Sequence, residues 1–368
     1  MYRETSPLTA ERIEVLQSRL TQVIERLPQQ SHGDLISQVL LTLLQMAEEE
    51  MDRLDWKILK AALQDLGRGF QVFSDYRHVR KISIFGSSRL PPESPEYLMA
   101  TEFAHCVTQK GFMVMTGAGG GIMAAGNQGA GAEHSFGLNI QLPFEQESNP
   151  FIAGDPKLID FKYFFTRKLF FLRETDAIAL FPGGFGTQDE AFECLTLSQT
   201  GKSPPIPVVL IDQPGGTYWQ AWDAYLQTHL VERDLVGPMD LKLYTITDNL
   251  ATACEAISGF YRVYHSSRYV GDRLVIRLNQ ALSDVDVEQL NHQFQDIVVQ
   301  GKIHKSAALP EESQHQQPQP QQVQDATEDL PRLVFHFNQK DHGRLYQMIA
   351  TINTMGDVGE DGYHPERK

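Results

Sequence analysis

The segment AIALFPGGFGTQDEAFECLTLSQT, residues 177–200, decides the fold. A short apolar run enters a Pro-Gly-Gly turn and a helix-compatible stretch opens at Thr187. Strand, glycine turn and helix in this order predict a parallel sheet, whose ligands sit at the carboxyl ends of the strands. The turn itself reads two ways. It is either a tight reversal with Thr187 as helix cap, or a phosphate cradle. The free N–H groups and positive dipole end of a helix favour an anion by roughly 0.3–1 kcal/mol. Gly183, Gly184 and Gly186 would let the backbone approach phosphate oxygens, with Phe185 between them and the Thr187 hydroxyl as cap or donor.

Working outward, the same alternation recurs. Apolar runs KISIFGS, FMVMTG, FGLNIQL, PVVLID and LYTIT are separated by helical stretches, among them PEYLMATEFAHCVTQKG, GIMAAGNQGAGAEH and DFKYFFTRKLFFLRE. Nearly continuous apolar strands followed by helices predict an α/β fold, a doubly wound Rossmann-like parallel sheet over residues 79–263. Glycines cluster at three strand ends, at Gly86, from Gly117 to Gly121 and from Gly183 to Gly186. Residues 1–78 read as a helical extension, since DLISQVLLTLLQMAEEEMDRLDWKILKAAL has apolar residues at three and four spacing without interior Gly or Pro. Residues 264–368 predict a small α+β domain of ferredoxin-like kind, in the order β, α, β, β, α. It is interrupted at about 309–330 by a Gln/Pro-rich tract too polar for a core, and its last dozen residues read as a frayed tail.

A formal charge of −15, from 32 Lys plus Arg against 47 Asp plus Glu, argues against nucleic acid as a partner. Any anionic ligand must be met by a local positive site. Cys106, Cys194 and Cys254 form no CxxC pair, which predicts a reduced, cytoplasmic protein without disulfides. The run VLLTLLQMA is too short to span a bilayer, so no membrane partner is expected. Twelve histidines show no HExxH pattern, and no metal site is expected.

Familiar phosphate motifs fail here. Gly201-Lys202-Ser203 has Thr196 where a Walker loop needs glycine. A dinucleotide fingerprint forced onto Gly119, Gly121 and Ala124 follows the second strand, and the ribose-binding acid is replaced by Asn139. More informative are Arg167 and Lys168 in the otherwise aromatic helix DFKYFFTRKLFFLRE. Such an arginine takes phosphate or carboxylate through paired donors, or a salt bridge to Asp189 or Glu190. Glu190 reads alternatively as a surface acid favoured by the helix dipole.

Together IFGSSR at 84–89, TGAGGGIM at 116–123, FFTRK at 164–168 and PGGFGTQDE at 182–190 resemble the Lonely Guy (LOG) family, long mislabelled lysine decarboxylases. The similarity covers roughly residues 79 to 263. It implies a nucleoside 5′-monophosphate phosphoribohydrolase, which cleaves the N-glycosidic bond to give free base and ribose 5-phosphate. By motif position it implies Arg167 and Glu190 as the catalytic pair. Gly184, Gly186 and Thr187 would hold the 5′-phosphate, Gly183, Phe185 and Lys168 would also bind the substrate, and Gly119, Gly120 and Gly121 would line the nucleotide cleft. Gly86, Ser87 and Ser88 would lie near base or ribose.

The chemistry suits these residue types. Glycosidic cleavage passes through an oxocarbenium-like state that a carboxylate stabilises while helping water attack, and Glu190 is assigned that role. Arg167 would orient that carboxylate and the phosphate. Solvent or Asp189 would protonate the leaving base. Glu145 and Asn149 are candidates for the base pocket, or loop caps. No cofactor is implied, and no lysine has an evident pyridoxal-phosphate setting. The rival reading is a carrier or nucleotide sensor, since molybdenum-cofactor carriers share the fold and the PGGxGT loop but lack the Arg and Glu pair. The resemblance further implies a homodimer or higher homo-oligomer. The C-terminal unit is an effector-binding domain or a packing module.

Overall fold

Strand β1 (Lys81–Phe85) stands at the centre of a seven-stranded sheet in the computed structural model, which describes residues 9–142, 147–313 and 327–355. The other strands are β2 (Met113–Thr116), β3 (Ser135–Ile140), β4 (Leu158–Phe161), β5 (Ala177–Leu180), β6 (Val208–Ile211) and β7 (Thr245–Thr247). Their order is β4-β3-β2-β1-β5-β6-β7, and every pairing is parallel. The chain winds outward from β1 in one direction, then returns to β5 and winds the other way. The gap above β1 and β5 is therefore the topological switch point, where such sheets bind ligands.

Twelve helices occur among the described residues. Three precede the sheet: α1 (Ala10–Arg26), α2 (Gly33–Glu48) and α3 (Arg53–Ser74). Within the α/β layer follow α4 (Pro95–Gln109), α5 (Ile122–Ala130), α6 (Phe164–Glu174), α7 (Phe185–Gln199), α8 (Tyr218–Leu226) and α9 (Leu250–Ser258). The period of two decides which layer each strand residue feeds. Ala177 and Ala179 face the α4, α5 and α9 layer, while Ile178 and Leu180 face α7 and α8. Beyond β1, Met113, Met115, Phe136 and Leu138 meet Phe73 of α3 and Phe170 and Phe171 of α6. Both faces are covered, as the doubly wound expectation requires.

The C-terminal sheet is antiparallel, β10-β11-β9-β8, built from β8 (Tyr264–Val270), β9 (Arg273–Leu278), β10 (Val298–Ser306) and β11 (Arg332–Phe337). Its helices are α10 (Asp284–Gln293), α11 (Pro310–Ser313) and α12 (His342–Ile352). The sheet order is that of a ferredoxin-like sandwich, with the fourth strand supplied from the front as β8. One apolar cluster joins this unit to the main sheet, running from Ile82 and Val114 through Ile257 to Phe335 and Ile349.

The chain divides into a unit ending at Lys60 and a larger one beginning at Ala61. The division falls inside α3. In the first unit α1 carries no buried residue. In the second, Gly69 admits Phe170 so closely that a Cβ would lie 2.2 Å from the ring, and Phe73 is stacked on Phe136 and Phe170. Buried phenylalanines of this kind cost about 3–5 kcal/mol when truncated to alanine, so the end of α3 is core structure.

Two further expectations change. Asp160 and Phe161, read as the start of a helix, are the end of strand β4 (Leu158–Phe161). Cys106 and Cys254, expected unpaired, are joined as a disulfide because α4 packs on α9. Most of the Gln/Pro tract, the C-terminal tail and Glu145 lie outside the described residues. No described helix is long and apolar enough to cross a membrane.

Candidate functional site

A cleft of about 780 Å³ opens at the switch point. It is lined by Gly86, Ser87, Ser88 and Arg89 after β1, Gly117 after β2, Met123 of α5, Phe164 and Arg167 of α6, and the run from Gly183 to Glu190. The two central strand ends are tied together, the Ser87 N–H donating to the Pro182 carbonyl at 3.0 Å. Two alternatives of the sequence reading meet here, since the glycine turn and the Arg–Glu pair share one cavity.

The turn is shaped tightly on one side and open on the other. At Gly183 a Cβ would lie 2.1 Å from the Thr187 hydroxyl, so no other residue fits. At Gly184 and Gly186 a Cβ would meet nothing within 4 Å. Packing within the protein does not require those two glycines, but close approach of a ligand would. Helix α7 starts at Phe185, and its first-turn N–H groups have no intrahelical acceptor. Tyr218 braces the turn from α8, donating to the Gly183 carbonyl at 2.6 Å and accepting from Gln188 Nε2 at 2.7 Å.

Arg167 enters from the opposite wall. Its Nε donates to the Leu138 carbonyl at 2.7 Å, and its carbon lies 5.2 Å from the Phe171 ring centroid. Burial lowers its pKa to about 10, partly offset by Glu190, so it remains charged at neutral pH. Gly117 makes room for it, because a Cβ there would stand 2.2 Å from the guanidinium. Gly117→Ala is therefore expected to displace Arg167 and lower activity at the site by about tenfold or more, with thermal stability little changed. Steady-state kinetics beside a melting curve checks this.

Glu190 lies on the second turn of α7. Burial raises its carboxyl to about 7 against the opposing pull of Lys168 and Arg167, and its Oε2 is buried with no hydrogen-bond partner. A buried carboxylate oxygen left open is costly unless something else occupies it. Lys168 itself does not line the cleft. Its ammonium pairs with Asp189 at 2.7 Å and with Glu193, in a separate groove between α6 and α7.

Gly119, Gly120 and Gly121 also stand outside the lining. At Gly121, with φ +59°, a Cβ would meet the Ser87 carbonyl at 2.2 Å, so this glycine lets α5 dock under the β1 loop. The loop is braced from below. Asn149, a base-pocket candidate, is buried and donates to the Gly119 carbonyl and to Asn127 Oδ1, each at 3.0 Å. Thr116 donates to the same Asn127 oxygen at 2.7 Å and accepts from the Ala118 N–H at 3.1 Å. This network holds Ala118 at φ +63°, a conformation unfavourable for a residue with a Cβ. The sequence reading missed Phe85, Arg89, Gly117, Met123, Phe164 and Gln188 as lining residues; Gly117 belonged to a glycine cluster already noted, while Phe85, Met123 and Phe164 carry no polar signal. No group of three or more metal-ligating side chains occurs among the described residues.

Residues 115–257 match the protein family described as "Possible lysine decarboxylase". That stretch contains the second and third glycine clusters, Arg167 and Glu190, and supports the resemblance over those residues. No curated protein matches the chain. Among solved structures it is similar to the molybdenum cofactor binding protein of Rippkaea orientalis, at 15% identity over 48% of this chain and 94% of that one, with a TM-score of 0.35. The molybdenum cofactor carrier protein of Chlamydomonas reinhardtii gives 18%, 48%, 95% and 0.32. DNA processing protein A of Helicobacter pylori gives 11%, 50%, 81% and 0.33.

Proposed function

We propose that the chain hydrolyses the N-glycosidic bond of nucleoside 5′-monophosphates, such as AMP or cytokinin nucleotides, to free base and ribose 5-phosphate. One observation carries this reading: the orphaned carboxylate of Glu190 sits on the same helix whose N-terminus offers the anion cradle. At 1.5 Å per residue, Glu190 lies roughly 5–8 Å along the axis from the first free N–H groups. With a 5′-phosphate held there, that spacing brings the carboxylate level with the sugar.

In the proposed reaction a water oxygen bonds to the anomeric carbon as the carbon–nitrogen bond breaks. Glu190 stabilises the developing positive charge and takes the proton of the water, and the base leaves with a proton from solvent or Asp189. Arg167, fixed at Nε, orients the phosphate-bearing sugar without changing its own protonation. Phe164 and Phe185, exposed beside the cleft, fit the homo-oligomer that the resemblance implies.

The test is incubation of purified protein with AMP, GMP, IMP, CMP, UMP and isopentenyladenosine monophosphate, with chromatography for released base and the Glu190→Gln variant alongside. Release that vanishes in the variant supports the hydrolase. Tight nucleotide binding without release from any of them favours a carrier or sensor.

The raised carboxyl of Glu190 gives opposite pH trends for rate and stability. Its folded pKa of about 7 lies above the unfolded value of 4.5, so between these the folded state binds more protons. The stabilising effect of the neutral acid is complete below 4.5 and lost as pH rises through 7. Turnover is expected to rise through that upper limb while the melting temperature falls relative to Glu190→Gln. A pH–rate profile and paired melting curves check both signs.

A further inference from the structure

We propose that Asp65, on α3 and before the sheet begins, is a positioning residue for Arg167 and so sets the rate of the reaction proposed above, on which this inference rests. Asp65 is 7% exposed. Its Oδ2 accepts from the N–H groups of Lys162 at 3.0 Å and Tyr163 at 3.3 Å and from the Thr166 hydroxyl at 2.7 Å. All three donors belong to the entry of α6. That helix has no side-chain cap of its own, since Tyr163 occupies the N-cap position and makes no capping bond. Helix α3 supplies the missing cap across space, and its charge faces the positive end of the α6 dipole.

The consequence falls on Arg167. Its N–H bonds to the Tyr163 carbonyl at 3.2 Å, closing the first turn that Asp65 pins. Its side chain is already committed at Nε to Leu138, so a shift of that first turn moves the guanidinium with it. Misplacement of a functional group by about 1 Å can cost a hundredfold in rate, whereas the ground-state hold on a phosphate at α7 does not pass through α6. A residue acting this way lowers kcat more than it raises KM.

The experiment compares Asp65→Ala, Asp65→Asn, Arg167→Ala and the Asp65→Ala/Arg167→Ala double variant by AMP turnover, with amide hydrogen exchange across residues 162–168. Asp65→Ala is expected to lower kcat about tenfold with KM within about threefold, and Asp65→Asn, which keeps an acceptor oxygen, to restore most of the loss. In the Arg167→Ala background the Asp65 change should add nothing. Exchange should accelerate at 162–168 and stay unchanged at the start of α7. Losses that multiply in the double variant, or unchanged exchange at 162–168, would overturn the proposal, leaving Asp65 as a peg for α3 only. Where Asp65→Ala does not fold, Thr166→Val removes one of the three donors at nearly constant volume and is read the same way. If the wild-type protein releases no base, the functional reading fails by itself. Asp65 is then judged by exchange alone, which should accelerate at 162–168 in Asp65→Ala and stay unchanged at the start of α7, unchanged exchange at 162–168 overturning its role in holding that turn.

Discussion

A Glu190→Gln protein is expected to release free base about a hundredfold or more slowly than the wild type, the usual scale for losing a positioned catalytic group. The substitution keeps the size of the side chain and its place on α7. It removes the ability to carry negative charge or to take a proton, so the loss should appear in kcat while nucleotide affinity changes little. The fold should benefit. Glu190 is an ionisable group held against burial, and a neutral amide escapes that penalty above pH 7. Lower activity with unchanged or higher melting temperature separates a catalytic carboxylate from a structural one. Full activity in the variant would remove the assigned mechanism even if phosphate binding held.

Arg167→Ala carries the second large effect, again about a hundredfold or more in kcat/KM. Two losses combine. The guanidinium no longer orients the substrate, and Glu190 loses one of the two cations that hold its carboxyl down. The pH–rate limb should therefore move upward in the residual activity, beside the loss in kcat/KM. Arg167→Lys is expected to rescue poorly. The bond from Nε to Leu138 fixes the plane of the fork, and an ammonium on a flexible stem cannot reproduce both that anchor and the remaining donors. Steady-state kinetics across pH 5 to 9 for the three proteins would read both claims.

The parallel sheet and its glycine ends were legible because each strand is an unbroken apolar run followed by a glycine and a helix. The pairing of Arg167 with Glu190 came from the motif resemblance, and both line one cleft because α6 and α7 begin on the switch-point side. What sequence missed has local causes. The start of α6 was invisible because its cap, Asp65, lies some hundred residues earlier, so Asp160 and Phe161 merged with the helix after them. Strand β8 escaped notice because Ser266, Ser267 and Arg268 break its apolar pattern. A hairpin signal was nevertheless present in Gly271 and Asp272, with Gly271 at φ +62°. Of the glycines at 119–121, Gly121 uses its conformational freedom for backbone packing against Ser87 and Ser88, a demand that the sequence alone does not show. Cys106 and Cys254 are 148 residues apart, a separation from which no pairing can be read.

The apolar cluster that runs from the main sheet into the C-terminal sandwich also bears on how the chain is made. Ribosomal synthesis delivers β1 and α4 well before Phe335, Leu345 and Ile349, which belong to the same cluster. One layer of the core thus waits for the C-terminal sandwich before it can close, and contacts of such long sequence separation form slowly. During that interval the emerging α4, α5 and α9 layer keeps apolar surface open until α12 has been made.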